Sequence, residues 1–343
     1  MKSLIGLLII TLGSFGQSSS YLPIKKVKNW SWESFWLVQG IFAWLVFPLL
    51  GSFMAIPAGS SLMELWGAGG ALNAMGFGVL WGIGGLSFGL SMRFLGVALG
   101  QSIALGTCAA FGTLFPAIMA NTNLLHGEGL LLLIGISITL AGIAVIGYAG
   151  SLRATNMSEE EKKAAIKEFA LTKGLLVALL AGAMSACFTL GLEAGAPIKQ
   201  AALAGGVNSL YAGLPVIFLV TSGGAITNVA YCIRQHIKNN SLKEFSSLNK
   251  QILLNNIPFC ALAGGLWYTQ FFGLEMGKSF LADSHVLLAF SWSILMSLNV
   301  LFSNIWGVLL NEWKGAGKKT IAVLIAGLIT LILSVIVVGI AHT

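Results

Sequence analysis

Two acidic residues lie at the ends of long uncharged stretches of this sequence. Glu193 follows the stretch 174–192, and Glu275 follows the stretch 251–274. A carboxyl group in a low-dielectric environment binds a proton more readily than one in water, because burial disfavours its charged form. We therefore predict that Glu193 and Glu275 exchange protons. The alternative is that both residues are simply placed at a membrane interface.

A second pair of charges, Glu33 and Arg93, borders the uncharged stretches 34–63 and 65–92. Opposite charges at two helix ends attract each other, so they can pair when a gate closes and separate when it opens. We predict a gate formed by Glu33 and Arg93. The alternative is that Glu33 is solvated at the interface and pairs with the neighbouring lysines.

The elements that must hold these side chains are expected to be membrane-spanning helices. Hydrophobic residues make up 56% of the chain and charged residues only 9%, whereas about 25% of the residues in globular chains are charged. Ten uncharged stretches are each about as long as a helix that crosses the bilayer core. The alternating pattern of an outer-membrane barrel is absent, which favours helices. The stretches are 3–24, 34–63, 65–92, 94–125, 129–152, 174–192, 200–233, 251–274, 286–311 and 320–341.

The first stretch has a second interpretation. Residues 1–20 combine a positive start, an apolar centre and small residues, as a secretory signal does. No clear A-x-A cleavage site follows, and removal of this segment would leave nine spans. We therefore count it as the first span.

Basic residues are distributed unequally between the loops that would alternate across the membrane. Sixteen of the 19 Lys and Arg residues fall in the odd-numbered loops, and only Lys2, Lys199 and Lys278 fall on the other side. The positive-inside rule places the odd-numbered loops in the cytoplasm and both termini outside. The net charge of +7 therefore reflects topology, and a nucleic-acid partner is not implied.

The longest hydrophilic loop, 153–173, divides the ten stretches into five and five. Ser158 can cap a run rich in Glu, Lys and Ala, which predicts a short solvated helix in this loop. Because five is an odd number, two related halves would enter the membrane in opposite senses, as in the inverted repeats of secondary transporters. We predict a first five-helix repeat at 1–152, a cytoplasmic linker at 153–173 and a second repeat at 174–343.

Short matches in the same order support this division. Each match is weak alone, because apolar residues recur often in any membrane protein. The matched segments are GLLII (6–10) with GLLVA (174–178), PIK (23–25) with PIK (197–199), FGLSM (88–92) with FGLEM (272–276), and AGI (141–143) with AGL (326–328).

Glycine spacing predicts close packing between helices. The chain has 43 glycines, and several are four residues apart inside the predicted spans. Small residues at this spacing share one helix face and allow two backbones to approach closely. The pairs are Gly78 with Gly82, Gly85 with Gly89, and Gly96 with Gly100.

Four groups of segments are more specific than the hydropathy profile. They are KKVKNWSWE (25–33), WGIG with GLSMRFLG (81–84 and 89–96), AGGLWYTQFF (263–272) and NEWKGAG (311–317). In these segments the chain resembles the L-rhamnose–proton symporters of the drug/metabolite transporter superfamily, over nearly its whole length. The resemblance implies proton-coupled uptake of a deoxyhexose across the inner membrane of a bacterium, with both termini periplasmic.

A sugar site needs amide and hydroxyl groups for the sugar oxygens and aromatic rings for its C–H faces, near the bilayer middle and between the halves. An intramembrane Asn, Gln or Ser is alternatively a helix-to-helix contact worth ~0.6 kcal/mol. Trp267 and Tyr268 beside Gln270 form the strongest cluster, and Gln39 and Ser102 are further polar groups inside spans. The candidate substrate-binding residues are Gln17, Trp81, Ser87, Gln101, Trp267, Tyr268, Gln270, Asn299 and Asn304.

A membrane-embedded transferase is the alternative outside transport. Such an enzyme would need clustered bases or metal ligands, but His126, His236, His285 and His342 are scattered. The four cysteines are single residues without a C-x-x-C motif, and no nucleotide-binding loop occurs. We therefore expect no catalytic residue, no metal site and no cofactor, with a proton gradient as the energy source.

The sequence thus predicts an all-α polytopic membrane protein of the bacterial inner membrane, with ten transmembrane helices in a 5+5 inverted repeat. The expected function is proton-coupled uptake of L-rhamnose by alternating access, without enzymatic activity. A drug/metabolite-type carrier of another sugar or small polar solute is the alternative within transport. The expected partners are sugar, protons and membrane lipid, and the oligomeric state is left open.

Overall fold

A computed structural model describes residues 2–156, 170–246 and 250–340 of the chain. Within these ranges the secondary structure is helical, without strands. The all-helical class is therefore confirmed. The α-helices are α1 Lys2–Ser19, α2 Trp32–Gly40, α3 Phe47–Ser52, α4 Leu62–Trp66, α5 Ala71–Leu95, α6 Val97–Met119, α7 Gly127–Asn156, α8 Leu171–Ser185, α9 Cys187–Ala194, α10 Ala196–Ala204, α11 Leu214–Asn239, α12 Lys243–Ser246, α13 Lys250–Leu281, α14 His285–Leu309 and α15 Lys318–Ile340.

Nine helical segments in the described part of the chain are long and apolar enough to cross a membrane. The predicted stretch 251–274 lies in α13, which is 32 residues long and is not among the nine. Its Trp, Tyr, Thr and Gln side chains lower its hydropathy. The nine segments are Lys2–Lys26, Trp32–Ala55, Ala71–Leu95, Leu99–Met119, Gly127–Arg153, Leu171–Ala204, Leu214–Asn239, His285–Leu309 and Lys318–Val337.

The second of these segments is not a continuous α-helix. A π-helical turn, Ile41–Val46, separates α2 from α3, and a 3-10 turn, Phe53–Ala55, ends the segment. Pro48 lies at the start of α3. Proline has no N–H to donate and its ring crowds the carbonyl one turn earlier, so the wider π turn accommodates it without breaking the span.

The sixth segment consists of α8, α9 and α10 in succession. Pro197 lies in the first turn of α10, where its missing N–H costs no helical hydrogen bond. As a result the helical run continues to Ala204, about three turns beyond the predicted stretch 174–192. Glu193 therefore lies inside this run and not at its end.

The predicted linker is only partly covered by the described residues. Helix α7 continues to Asn156, and α8 begins at Leu171. Residues 157–169, which include the predicted cap Ser158, lie outside the described ranges. The helix predicted there stays a prediction.

The chain forms two compact units, and each draws residues from both halves of the sequence. The first unit contains Met1–Leu7, Gly84–Leu190 and Phe280–Thr343. The second unit contains Leu8–Ile83 and Gly191–Ser279. We describe the two units separately.

In the first unit α7 packs antiparallel against α15. A methyl group added to Gly142 would lie 3.2 Å from the carbonyl oxygen of Gly327, and one added to Gly327 would lie 3.2 Å from the carbonyl oxygen of Gly142. Near this crossing the Thr139 hydroxyl donates a 3.1 Å hydrogen bond to Ser334. The contact is therefore reciprocal, and it uses the glycines of the matched segments AGI and AGL.

In the second unit α5 packs against α11 through glycines. An added methyl group at Gly78 would lie 2.1 Å from the carbonyl oxygen of Val220, and one at Gly223 would lie 2.0 Å from that of Met75. Gly82 approaches the backbone of Gly224 in the same way. The G-x-x-x-G pair of Gly78 and Gly82 thus allows the close backbone approach that its spacing predicts.

Replacing Gly78 by alanine is expected to destabilise the second unit. The new methyl group would meet the Val220 backbone, which cannot move aside as a flexible side chain can, so we expect a loss of ~1–3 kcal/mol. Gly76 is the matched control, because it lies on the same helix with no atom within 4 Å of an added methyl group. Unfolding of Gly78→Ala and Gly76→Ala in detergent tests this; equal midpoints would contradict it.

Candidate functional sites

The carboxylate of Glu275 in α13 lies in a buried polar site of the second unit. Its side chain is 8% exposed, and its Oε1 lies 2.6 Å from the Nζ of Lys199 in α10. The backbone N–H of Gly213, just before α11, donates a 3.0 Å hydrogen bond to the same oxygen. A methyl group at Gly213 would lie 2.5 Å from this carboxylate, so only glycine leaves room for it. The site thus holds a carboxylate with one cationic and one neutral donor.

Two further residues lie close to this site. Tyr268 is seven residues before Glu275, which places both on one face of α13. The Tyr268 hydroxyl is buried beside Gly51 and has no hydrogen-bond partner among the described residues. Lys278 lies within electrostatic range of Glu275, Lys199 and Glu193.

Glu193, the other predicted proton-exchanging residue, differs from Glu275 in its surroundings. Its side chain is exposed on α9, whereas that of Glu275 is buried. The structure thus relates both acids to Lys278 but encloses only Glu275. Of the two, Glu275 is better suited to hold a proton away from water.

Glu33, at the start of α2, is also buried, at 5% exposure. Its Oε1 accepts a 2.8 Å hydrogen bond from the Asn239 side chain and another of 2.8 Å from the Ser241 hydroxyl. Arg93, its predicted gate partner, belongs to the first unit and has an exposed side chain. Pairing of Glu33 with neighbouring lysines, the alternative, does not account for its two neutral hydrogen-bond donors. The gate formed by Glu33 and Arg93 stays a prediction.

Several of the predicted aromatic and amide groups come together in the second unit. The rings of Trp81 and Trp267 are 5.8 Å apart, and Trp267 also packs edge-on against Phe271. The Gln270 amide donates to the carbonyl of Trp267 in its own helix, and Gln17 accepts a hydrogen bond from Ser18. Trp81, Trp267, Tyr268, Gln270 and Gln17 all belong to this unit.

A neighbouring aromatic group was missed in the sequence. Trp36 stacks on Trp32 at 5.2 Å and lies edge-on to Trp44 at 5.9 Å. Its indole N–H donates a 2.9 Å hydrogen bond to Asn228. The sequence does contain a signal for the stack, because Trp32 and Trp36 are four residues apart at the start of a helix.

Asn228 and Gln39 are the amides that belong with this group. Asn228 donates to the carbonyls of Gly82 and Gly224 and so joins α2, α5 and α11. Gln39 is 6% exposed. A buried amide is a group that a polar solute can satisfy.

The remaining predicted sugar-binding residues lie in the first unit, mostly between α6 and α14. The Ser303 hydroxyl donates to Gln101, and the Asn304 amide donates to Ser102 at 2.5 Å. Thr113 and Ser293 share a 2.6 Å hydrogen bond further along the same pair of helices. These bonds perform the helix-to-helix role that was the alternative to sugar binding. Asn299 and Ser87 are buried in the same unit.

Metal ligands do not cluster in the described ranges. No group of three or more His, Cys, Asp or Glu side chains there could hold a metal ion.

The apolar helical segments, with ion pairs and amides enclosed among them, define a multi-pass helical membrane protein. The profile of the L-rhamnose-proton symport protein family (RhaT) matches residues 2–343. The chain therefore belongs to this family, and the resemblance found in the sequence is confirmed.

Two relatives illustrate the similarity. An L-rhamnose-proton symporter of Yersinia pestis (strain Pestoides F) is 36% identical over 341 residues, which cover 98% of this chain and 97% of the relative. An L-rhamnose-proton symporter of Yersinia pseudotuberculosis serotype O:1b (strain IP 31758) matches to the same extent. No solved structure matches the chain. The family is one of transporters and not of enzymes.

A double-mutant cycle at Lys199 and Glu275 tests the buried ion pair. We expect a coupling of about 1–2 kcal/mol between Lys199→Gln and Glu275→Gln, because removing either partner takes the paired opposite charge away from a buried or half-buried group. Unfolding titrations of the four proteins in mixed micelles measure this coupling.

The control cycle uses Lys2 and Asp283. Their charged atoms are 3.3 Å apart, but both side chains are more than 70% exposed, at 74% and 73%. An exposed pair is screened by water, so we expect little measurable coupling there. Equal coupling in the two cycles would contradict the special character of the Lys199–Glu275 pair.

Proposed function

We propose that this chain carries L-rhamnose together with protons into the cell across the bacterial inner membrane. The observation that carries the proposal is its membership, over residues 2–343, in a family of L-rhamnose-proton symport proteins. The named relatives cover nearly the whole chain. The helical architecture described above is of the kind that such transport requires.

We further propose ten membrane crossings with both termini on the periplasmic side. Helix α13 supplies the tenth crossing, because 32 residues extend over ~48 Å and the hydrocarbon core is ~30 Å thick. The unequal distribution of Lys and Arg supports this orientation. Fusion of a reporter to the C-terminus checks this. A phosphatase that is active only in the periplasm should be active there, whereas a fluorescent protein that matures only in the cytoplasm should give no signal.

An inverted repeat of two five-helix halves is part of the proposal. It is supported by three contacts in which helices at equivalent positions of the two halves pack antiparallel. They are α2 with α11 (Trp36 to Asn228), α6 with α14 (Thr113 to Ser293) and α7 with α15 (Gly142 to Gly327). Equivalent helices of an inverted repeat run in opposite senses, so antiparallel contacts are expected between them.

For the sugar we propose the aromatic and amide groups of the second unit as binding surface. Trp81 and Trp267 offer faces for the C–H side of a deoxyhexose, and Gln17 and Gln39 offer buried amides for its hydroxyl groups. The polar groups of α6 and α14 already bond to one another, so their role in binding is a weaker part of the proposal.

For coupling we propose that Glu275 binds the transported proton. Protonation removes the negative charge that holds Lys199 and weakens the hydrogen bond from Gly213. The proton would therefore loosen the contacts that join α13 to α10 and to the start of α11. Glu193, nearer to water, would pass protons to this region, and the proton gradient would be the energy source.

The function is tested by uptake of labelled L-rhamnose into proteoliposomes, with and without an inward proton gradient. The vesicles contain no ATP, so accumulation driven by the gradient alone supports the proposed energy source. L-Fucose and D-xylose serve as competitors. Uptake without accumulation would indicate an uncoupled carrier. If D-xylose abolishes accumulation as effectively as unlabelled L-rhamnose does, the carrier has another sugar specificity.

Glu275→Gln is expected to abolish gradient-driven accumulation, because glutamine cannot bind and release the proton. Glu193→Gln is expected to reduce it less, since that side chain is exposed. Accumulation by both variants at the level of the unmodified chain would show that neither residue carries the proton.

Trp267→Leu is expected to raise the rhamnose concentration at half-maximal uptake ~5–10-fold, from the loss of ~1 kcal/mol of ring stacking. Trp66→Leu is the matched control, because Trp66 stacks on Phe218 in the same unit but is not proposed to bind sugar. The same change in both variants would argue against a binding role for Trp267.

A further inference from the structure

A chain of hydrogen bonds joins His236 to Glu33 in the second unit. The Nδ1 of His236 lies 2.8 Å from the Ser241 hydroxyl oxygen, and that hydroxyl lies 2.8 Å from Oε1 of Glu33. His236 is 1% exposed, and its Nε2 has no hydrogen-bond partner among the described residues. A buried imidazole without a partner at one nitrogen calls for an explanation.

The geometry depends on how α11 ends. Asn240 adopts a left-handed backbone conformation, with φ of 52°. This turn lets the N–H groups of Asn240 and Ser241 both bond to the carbonyl of His236. The chain thereby folds back, and the Ser241 side chain comes to lie between the imidazole and the carboxylate.

The direction of the hydrogen bonds follows from the number of hydrogens. Ser241 has one hydroxyl hydrogen, which it donates to Glu33, so it can only accept from His236. The Nδ1 of His236 is therefore the donor. Asn239 also donates to Glu33, so every bond in the chain leads toward the carboxylate.

The surroundings contain few other ionisable groups. Cys232, one turn before His236, lies within electrostatic range of Glu33. Glu244 in α12 has other donors, because its carboxylate accepts from the backbone of Ser31 and from the hydroxyls of Ser31 and Ser34. The charged residues of α11 near this site, Arg234 and Lys238, are exposed, and so is Lys28. Phe245 packs edge-on against the imidazole at 5.5 Å.

We propose that His236, Ser241 and Glu33 form a proton-transfer chain that delivers the transported proton to the cytoplasmic side. A proton that arrives at Nε2 of His236 makes an imidazolium ion. Its Nδ1–H bond then breaks as Ser241 gains that proton, and the Ser241 O–H bond breaks as Glu33 gains the original hydroxyl hydrogen. The products are a neutral imidazole, an unchanged serine and a neutral carboxylic acid, which releases the proton to water beside the exposed Asn239.

This inference rests on the proposed proton-coupled transport but concerns different residues from Glu275. Asn256, which binds the backbone of Lys28 near Glu33, and Glu275 are both on α13. Their separation of 19 residues in sequence corresponds to ~28 Å along a helix. The proton-transfer chain at Glu33 thus lies at the opposite end of the second unit from the Lys199 site.

The transport test compares accumulation with counterflow. Counterflow exchanges labelled for unlabelled rhamnose without net proton movement, so it measures sugar binding and the conformational cycle separately from proton release. We expect the ratio of accumulation to counterflow to fall at least ~10-fold in Ser241→Ala and in His236→Gln, because a missing proton-transfer group slows that step strongly. Ser241→Thr keeps the hydroxyl and should restore the ratio.

Two substitutions outside the proton-transfer chain serve as controls. Ser279→Ala removes another serine of the second unit, and His285→Gln removes an exposed histidine; both should leave the ratio unchanged. A normal ratio in Ser241→Ala and His236→Gln would overturn the proposal. It would also be overturned if Ser241→Thr had the same defect as Ser241→Ala, because the hydroxyl would then have no role. Absence of counterflow in the unmodified chain would instead overturn the proposed substrate.

A measurement that needs no sugar tests the same proton-transfer chain. Infrared titration in detergent can identify the protonated carboxyl band of Glu33 by its loss in Glu33→Gln. Asn239→Asp would place a second carboxylate beside Glu33, and two such groups retain a shared proton to higher pH, so we expect the band to titrate at least ~1 pH unit higher. A band that does not shift in Asn239→Asp, or that is unaffected by both Ser241→Ala and His236→Gln, would overturn the proposal.

Discussion

A polar group inside a bilayer finds no water, so each one must be matched by another group of the protein. This constraint underlies most of the specific contacts in both units. Asn228 alone serves the indole of Trp36, a backbone carbonyl of α5 and a backbone carbonyl of its own helix, α11. Such matching needs helices that approach closely, and the glycines of α5 and α11 provide that approach. The abundance of glycine and the hydrogen bonds of Asn228 are therefore two consequences of one requirement.

The second unit combines three kinds of chemistry along a single helix. Asn256 marks the end of α13 near Glu33, Trp267 lies eleven residues further on, and Glu275 another eight. At 1.5 Å per residue these steps are ~16 Å and ~12 Å. The aromatic group thus lies between two buried carboxylates, each held by two donors. Trp267 and Glu275 lie on the same helix beyond its internal Pro258, so a displacement of α13 at Glu275 is expected to reach the aromatic group as well.

Much of the fold could be predicted from the sequence, because hydropathy and glycine spacing act over short distances. The all-helical class, the approximate positions of the spans in the described part of the chain and the packing role of Gly78 belong to this part. The π turn before Pro48 and the continuation of the sixth segment to Ala204 could not be predicted, since both depend on how proline is accommodated locally.

The partners of the buried acids were the hardest to foresee. Lys199 entered the topology count as a basic residue of an outer loop, yet it pairs with Glu275, 76 positions away in sequence. The Glu33 carboxylate accepts hydrogen bonds from Asn239 and Ser241, which have the residue types of an ordinary turn. Contacts between residues far apart in sequence leave no periodic pattern, so composition and spacing do not reveal them.

The reciprocal contact of Gly142 with Gly327 gives this single chain a property of homodimers. A methyl group added to either glycine would lie the same 3.2 Å from the other's carbonyl oxygen, which is the geometry of an isologous interface. In such an interface a side chain added on one surface is added on its counterpart as well. Within one polypeptide Gly142 and Gly327 are encoded separately, so one of them can be replaced by a larger residue while the other remains glycine. Covalent fusion therefore permits asymmetry at this crossing that a true homodimer could not adopt.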